Sequence, residues 1–130
     1  MKHLLPTAAW ELLQAQPEAR LIDVRMEIES LYVGRPPGAI NVPWYEYPDL
    51  TPNPDVFVKA VVQEVVGLDK PVVLICRSGV RTLDAGVALE AAGFTDVYNV
   101  LHGFEGGLND SFHRSGVNGW RCDGLPWEQL

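Results

Sequence analysis

Two observations predict an α/β layer fold with a mainly parallel sheet for this 130-residue chain. Short apolar, β-branched runs alternate with longer segments whose apolar residues recur at helical spacing. One run, PVVLI at 71–75, is apolar throughout after its opening proline, the pattern of a strand covered on both faces. The length suits one domain spanning 1–130, with room for a real core.

Taken in order, HLL at 3–5 reads as a short edge strand. Ala8, Leu12 and Ala15, with Ala9 and Leu13 alongside, place a helix after Thr7, which serves as its expected N-cap. RLIDVR at 20–25 reads as a buried strand ending in charges. The stretch from Met26 to Pro54 holds six of the ten prolines and is expected to be loop, interrupted by a short strand at AINVP, 39–43. DVFVKAVVQEVVG at 55–67 has the length and pattern of a helix, with Asp55 at its start and Gly67 at its end. After the central strand, RTLDAGVALEAAG at 81–93 predicts a second clear helix closed by Gly93 as its C′ residue. VYNV at 97–100 is a further strand, and the glycine-rich remainder is expected to be loops and single helical turns.

Composition narrows function. A net charge of −7 argues against a nucleic-acid partner, because phosphate binding wants a basic footprint. No apolar run approaches the roughly 20 residues of a membrane span. The N-terminus has too short an apolar stretch for a secretory leader, so a cytoplasmic location is expected. His3, His102 and His113 are scattered and no cysteine pair has zinc spacing, so no metal is expected. Two cysteines, Cys76 and Cys122, allow one disulfide; in a reducing compartment a lone cysteine in a special setting is more often catalytic or redox-active.

Cys76 has such a setting. It closes the central strand, and CRSGVR leads straight into a helix. In parallel α/β sheets ligands bind at the carboxyl ends of strands. A helix N-terminus offers unpaired N–H groups and partial positive charge. The amides of Arg77, Ser78, Gly79, Val80 and Arg81 can curl into an anion-binding nest, with Gly79 allowing angles that a side chain resists. Arg77 and Arg81 add two permanent charges that suit an oxyanion. All of this favours a nucleophilic thiolate. The spacing Cys-x4-Arg is one residue shorter than the Cys-x5-Arg loop of cysteine phosphatases. The tighter ring is poorly sized for a tetrahedral phosphate and better suited to a cysteine carrying one extra sulfur.

CRSGVRT resembles the active-site loop of the rhodanese (sulfurtransferase) family in its six-residue form. Three further motifs follow the family in order: LIDVR at 21–25, GRPPGAINVPW at 34–44 and GVNGWRCDGLPW at 116–127. The resemblance implies a five-stranded parallel sheet flanked by helices. It implies transfer of a sulfane sulfur from a donor such as thiosulfate to cyanide or a thiol acceptor, a protein thiol included, through a persulfide on Cys76. The loop amides would cradle that persulfide, the Arg77 and Arg81 side chains would hold the anionic donor, and no cofactor is implied. Arg35 departs from the family, standing where a histidine is common; a packing or surface role is expected for it.

Other residues carry alternatives. Asp23 and Arg25 end their strand on the carboxyl edge that also holds Cys76, and Asp23 is expected to brace the active loop through its backbone or through Arg81. An ordinary strand-end charge pair is the alternative. Ser78 either polarises the donor or merely fits the loop. Trp44, Tyr45 and Tyr47 either line a pocket mouth or close one end of the core. His102 either faces the active site from the last strand or anchors a loop, the latter being expected. Arg114 in HRSGVNG is expected to be a surface residue without special role. Cys122 is expected to be a surface or half-buried thiol, the alternative being that it accepts sulfur from Cys76 or forms a protective disulfide with it. Rival functions are a sulfur-relay or protein-binding module and a cysteine phosphatase or arsenate reductase on the same architecture.

Overall fold

A computed structural model describes all 130 residues. Five strands form one sheet: β1 (Lys2–Leu4), β2 (Arg20–Asp23), β3 (Ile40–Asn41), β4 (Val72–Ile75) and β5 (Val97–Val100). Their order is β1-β5-β4-β2-β3, and every pairing is parallel. Three helices connect them: α1 (Pro6–Ala15), α2 (Pro54–Glu64) and α3 (Arg81–Ala91). The α/β class and the parallel sheet are those expected from the sequence.

The central strand explains the layering. Successive side chains along a strand point to opposite faces. Val72, Leu74 and Cys76 therefore enter one core with Ile22 and Val24 of the neighbouring strand, Phe57 and Val61 of α2, and Ala85 and Leu89 of α3. Val73 and Ile75 enter the opposite core with Leu21, Val100, Phe104, Trp120 and Ala9 of α1. Covered on both faces, β4 has no polar face to present, which is why its sequence lacks alternation.

Helix ends depart from expectation in instructive ways. Thr7 does not cap α1; Leu5 is the N-cap, with no side-chain bond, and Pro6 takes the first turn. Proline is well placed there, since its missing N–H would have had no partner. At α2 the Asn53 side chain accepts the Val56 N–H at 3.3 Å, so the cap lies two residues before Asp55. That helix ends at Glu64, short of Gly67. Gly93 does close α3, at φ +104°, with its N–H on the Glu90 carbonyl and the Phe94 N–H on the Leu89 carbonyl, both at 3.1 Å. These are the two bonds of a Schellman motif.

Two regions outside the predicted strands and helices carry definite order. Glu29–Val33 forms a single π-helical turn. The glycine-rich tail packs tightly: Trp120 is fully buried, donates to the Pro126 carbonyl at 2.7 Å and meets Trp10 of α1 edge-on at 5.7 Å. Arg35 pairs by its backbone with Glu128, so the residue at the unusual position anchors the chain end.

Candidate active site

Cys76 follows β4 directly, is only 1% exposed, and is a free thiol. The chain then turns through Arg77, Ser78, Gly79 and Val80 into α3. Gly79, at φ +96°, aims its N–H at the Cys76 sulfur across 3.1 Å. A Cβ there would also sit 3.3 Å from the His102 nitrogen, so the position wants glycine twice over. The amides of Arg77, Ser78 and Val80 make no backbone hydrogen bond and stay available to an anion. Val80, the N-cap of α3, has no side chain with which to occupy the helix's unpaired N–H groups.

The segment after β5 holds this loop from below. The Cys76 carbonyl accepts the Phe104 N–H at 2.8 Å, and the Arg77 carbonyl accepts those of Glu105 and Gly106 at 2.9 and 3.2 Å. Gly103, at φ +64°, lies so close that a Cβ would meet the Cys76 oxygen at 2.5 Å. The His102 backbone packs close beside Gly79.

On its inner side the sulfur faces Thr82, whose hydroxyl lies 3.7 Å away. That hydroxyl donates to the Asn99 side-chain oxygen at 2.6 Å, and the Asn99 amide nitrogen meets His3 Nδ1 at 3.2 Å. With its proton given to Asn99, Thr82 accepts from a Cys76 thiol; rotating the hydroxyl turns it into a donor to a thiolate.

A cleft of about 360 Å³ opens beside the loop, lined by Met26, Glu29, Val33, Tyr45, Arg77, Arg81, Glu105 and Arg114. Arg77 is exposed there, whereas Arg81 grips Glu29 through two bonds of 2.7 and 2.9 Å. Burial pushes the Glu29 carboxyl up, but the bonds and charge of Arg81, the Met26 amide and the charge of Arg25 outweigh it and hold it below its ordinary value of 4.5. Burial likewise pulls Arg81 down, and the Glu29 bonds and charge, with Tyr45 and Cys76 nearby, hold it above its ordinary range.

The structure brings together Cys76 and the five loop residues expected from the sequence, and it separates Asp23 and Arg25 from them. Asp23 does not bond Arg81. Its carboxylate takes the Arg25 guanidinium at 2.9 and 2.7 Å, with both residues fully buried, and Arg25 also donates to the Gly34 carbonyl at 2.6 Å. The reason is strand parity. Asp23 is in register with Ile75, whose side chain lies on the α1 face, while Cys76 lies on the α3 face. Arg25 accordingly stacks over Phe104 at 4.7 Å, in the α1-side core.

The aromatic trio divides. Trp44 is buried edge-on against Phe57, Tyr45 lines the cleft with the Arg81 guanidinium 5.4 Å from its ring, and Tyr47 is 75% exposed. Sequence reading did not single out Glu29, Glu105, Thr82 or Asn99, and it placed Arg114 at the surface, where the structure sets it at the cleft wall. Arg114 spends one bond on the Gly106 carbonyl, at 2.8 Å, and lines the cleft. Thr82 had one available signal, a hydroxyl directly behind the loop on the first turn of the helix. Cys122 stays an exposed free thiol in the tail.

A model of the rhodanese-like domain family matches residues 5–110. The crystal structure of Rv0390 from M. tuberculosis is 40% identical in sequence with a TM-score of 0.86, covering 100% of this chain and 98% of that one. The polysulfide-sulfur transferase of Wolinella succinogenes, a homodimer, is 25% identical with a TM-score of 0.67, covering 100% of this chain and 80% of its own. Thiosulfate sulfurtransferase GlpE of Actinobacillus succinogenes is 27% identical over 96% of this chain and 88% of its own length.

Proposed function

The chain belongs to the rhodanese-like domain family, and from that premise we propose that it is a sulfurtransferase acting through a persulfide on Cys76, with thiosulfate or a similar anion as donor. The observation that carries this reading is the Gly79 N–H held 3.1 Å from a sulfur at the carboxyl end of β4, with Arg77 and Arg81 on the same loop. An N–H aimed at sulfur in this way can hold the anionic outer sulfur of a persulfide or the sulfur it is carried on.

The thiolate attacks the outer sulfur of thiosulfate. A Cys–S–S bond forms, the S–S bond of the donor breaks, and sulfite leaves with the electron pair. The persulfide now carries the negative charge, and the loop amides stabilise it. Cyanide or a thiolate then attacks the terminal sulfur and releases the Cys76 thiolate. Charge balances in both steps, and no outside oxidant is needed. Arg77, reaching into the cleft from the exposed side, steers the dianion. A reducing cytoplasm suits a free Cys76, and one domain of residues 1–130 suffices for the cycle.

The test is thiocyanate formation from thiosulfate and cyanide. Wild type forms it, Cys76→Ser does not, and Arg77→Ala raises KM for thiosulfate. Equal activity in Cys76→Ser would refute the reading. Absence of thiocyanate alongside a persulfide loaded by another protein would favour a sulfur relay.

A further inference from the structure

We propose that Glu29 determines donor specificity, by occupying Arg81 as an internal competitor for the anion site. The proposal rests on the sulfurtransferase reading of the same cleft. Arginine's fork recognises an oxyanion through two parallel N–H···O bonds. In this cleft that recognition is already satisfied from within, by the two Glu29 oxygens at 2.7 and 2.9 Å. Glu29 is itself fixed, since its Oε1 also accepts the Met26 N–H at 3.2 Å and it opens the π-helical turn. The side chains are only 12% and 13% exposed, so the pair is largely shielded from water and salt.

The consequence is a matter of charge. Arg77, Arg81 and Arg114 line the cleft with Glu29 and Glu105; Glu105 is already paired with Arg121 at 3.9 Å, so Glu29 is the carboxylate set directly against the cleft's own cations. A small dianion must either share Arg81 with a carboxylate or displace it. Arg77 and Arg114 therefore become the cations a donor can use at once. The site holds small inorganic dianions weakly, and Glu29 is the reason.

The experiment uses Cys76→Ser protein, which binds thiosulfate without turning it over, and reads the dissociation constant by titration calorimetry. Adding Glu29→Gln keeps the side-chain shape and removes one charge from a half-dry site, so thiosulfate binds about tenfold more tightly. Unchanged or weaker binding would overturn the proposal and make Glu29 a brace for Arg81. If Glu29→Gln strands Arg81 and fails to fold, Glu29→Gln with Arg81→Gln removes both charges and leaves the net charge of the cleft unaltered. That double variant keeps thiosulfate affinity within about threefold of the Cys76→Ser parent, whereas a drop of tenfold or more would show that Arg81 itself grips the donor. Absence of binding in every variant also overturns the proposal. Because no sulfur moves in these titrations, their outcome is separate from persulfide formation on native Cys76.

Discussion

Arg25→Met removes the cation from the most deeply buried ion pair in the protein. The guanidinium gives two bonds to Asp23, at 2.9 and 2.7 Å, and one to the Gly34 carbonyl at 2.6 Å. Methionine fills much of the space but leaves the Asp23 carboxylate fully buried without a counter-charge, and the backbone N–H of residue 25, at 3.1 Å, as its donor within this turn. Breaking a buried pair from one side costs about 3–5 kcal/mol, and the abandoned Gly34 carbonyl belongs within that range. A loss near 4 kcal/mol, spread over the unfolding entropy of a chain this long, lowers Tm by about 15 °C. Urea unfolding followed by tryptophan fluorescence reads the loss directly, since Trp10 and Trp120 lie in the same α1-side core. Asp23→Leu combined with Arg25→Met restores most of the stability. The native pair already carries a desolvation penalty, visible in an Arg25 Nη1 that is buried without a partner, and apolar replacements of such pairs are often neutral or better. A single-variant loss below about 1 kcal/mol, or a double variant no better than the single, would refute the reasoning.

Three further outcomes follow from the same geometry. Thr82→Val leaves the buried Asn99 oxygen without its 2.6 Å donor, and urea unfolding registers a loss of about 1–3 kcal/mol. Gly103→Ala drives a Cβ to 2.5 Å from the Cys76 carbonyl, so the active loop is pushed out of place and sulfur transfer falls at least tenfold, by about 1.4 kcal/mol or more in barrier; the thiocyanate assay reads it. The Glu29 carboxyl titrates below its ordinary 4.5 when folded, so the stability it adds is complete above 4.5 and is lost as pH falls through the lower folded value. Denaturation of parent and Glu29→Gln across acidic pH therefore gives a difference that is flat above 4.5 and shrinks below it; a difference that grows towards acid would contradict the pairing.

What could be read in the sequence was what depends on neighbours along the chain. PVVLI announced a strand buried on both faces, the cysteine marked its carboxyl end, and Gly79 and Gly93 stood where left-handed backbone was needed. Helix starts were less legible, because Pro6 and Asn53 took the roles that Thr7 and Asp55 could equally have filled. The site's outer half was hidden for a different reason. Glu29 meets Arg81 across 52 residues, and Asn99 meets Thr82 across 17. Nothing in local spacing records such a pairing. Of the two readings of Asp23, the charge pair with Arg25 is the one the structure shows, because the carboxyl edge of a sheet has two faces and one residue of parity put Asp23 on the side away from Cys76. Arg114 looked like an ordinary surface charge until the tail folded back over the cleft.

The central claim is that Cys76 carries the transferred sulfur. Intact mass after incubation with thiosulfate and removal of the excess tests it most directly. Wild type should gain one sulfur, about 32 Da, lose it on adding cyanide, and show no gain as Cys76→Ser. A wild-type mass that stays unchanged, or a gain that survives in Cys76→Ser, would contradict the account.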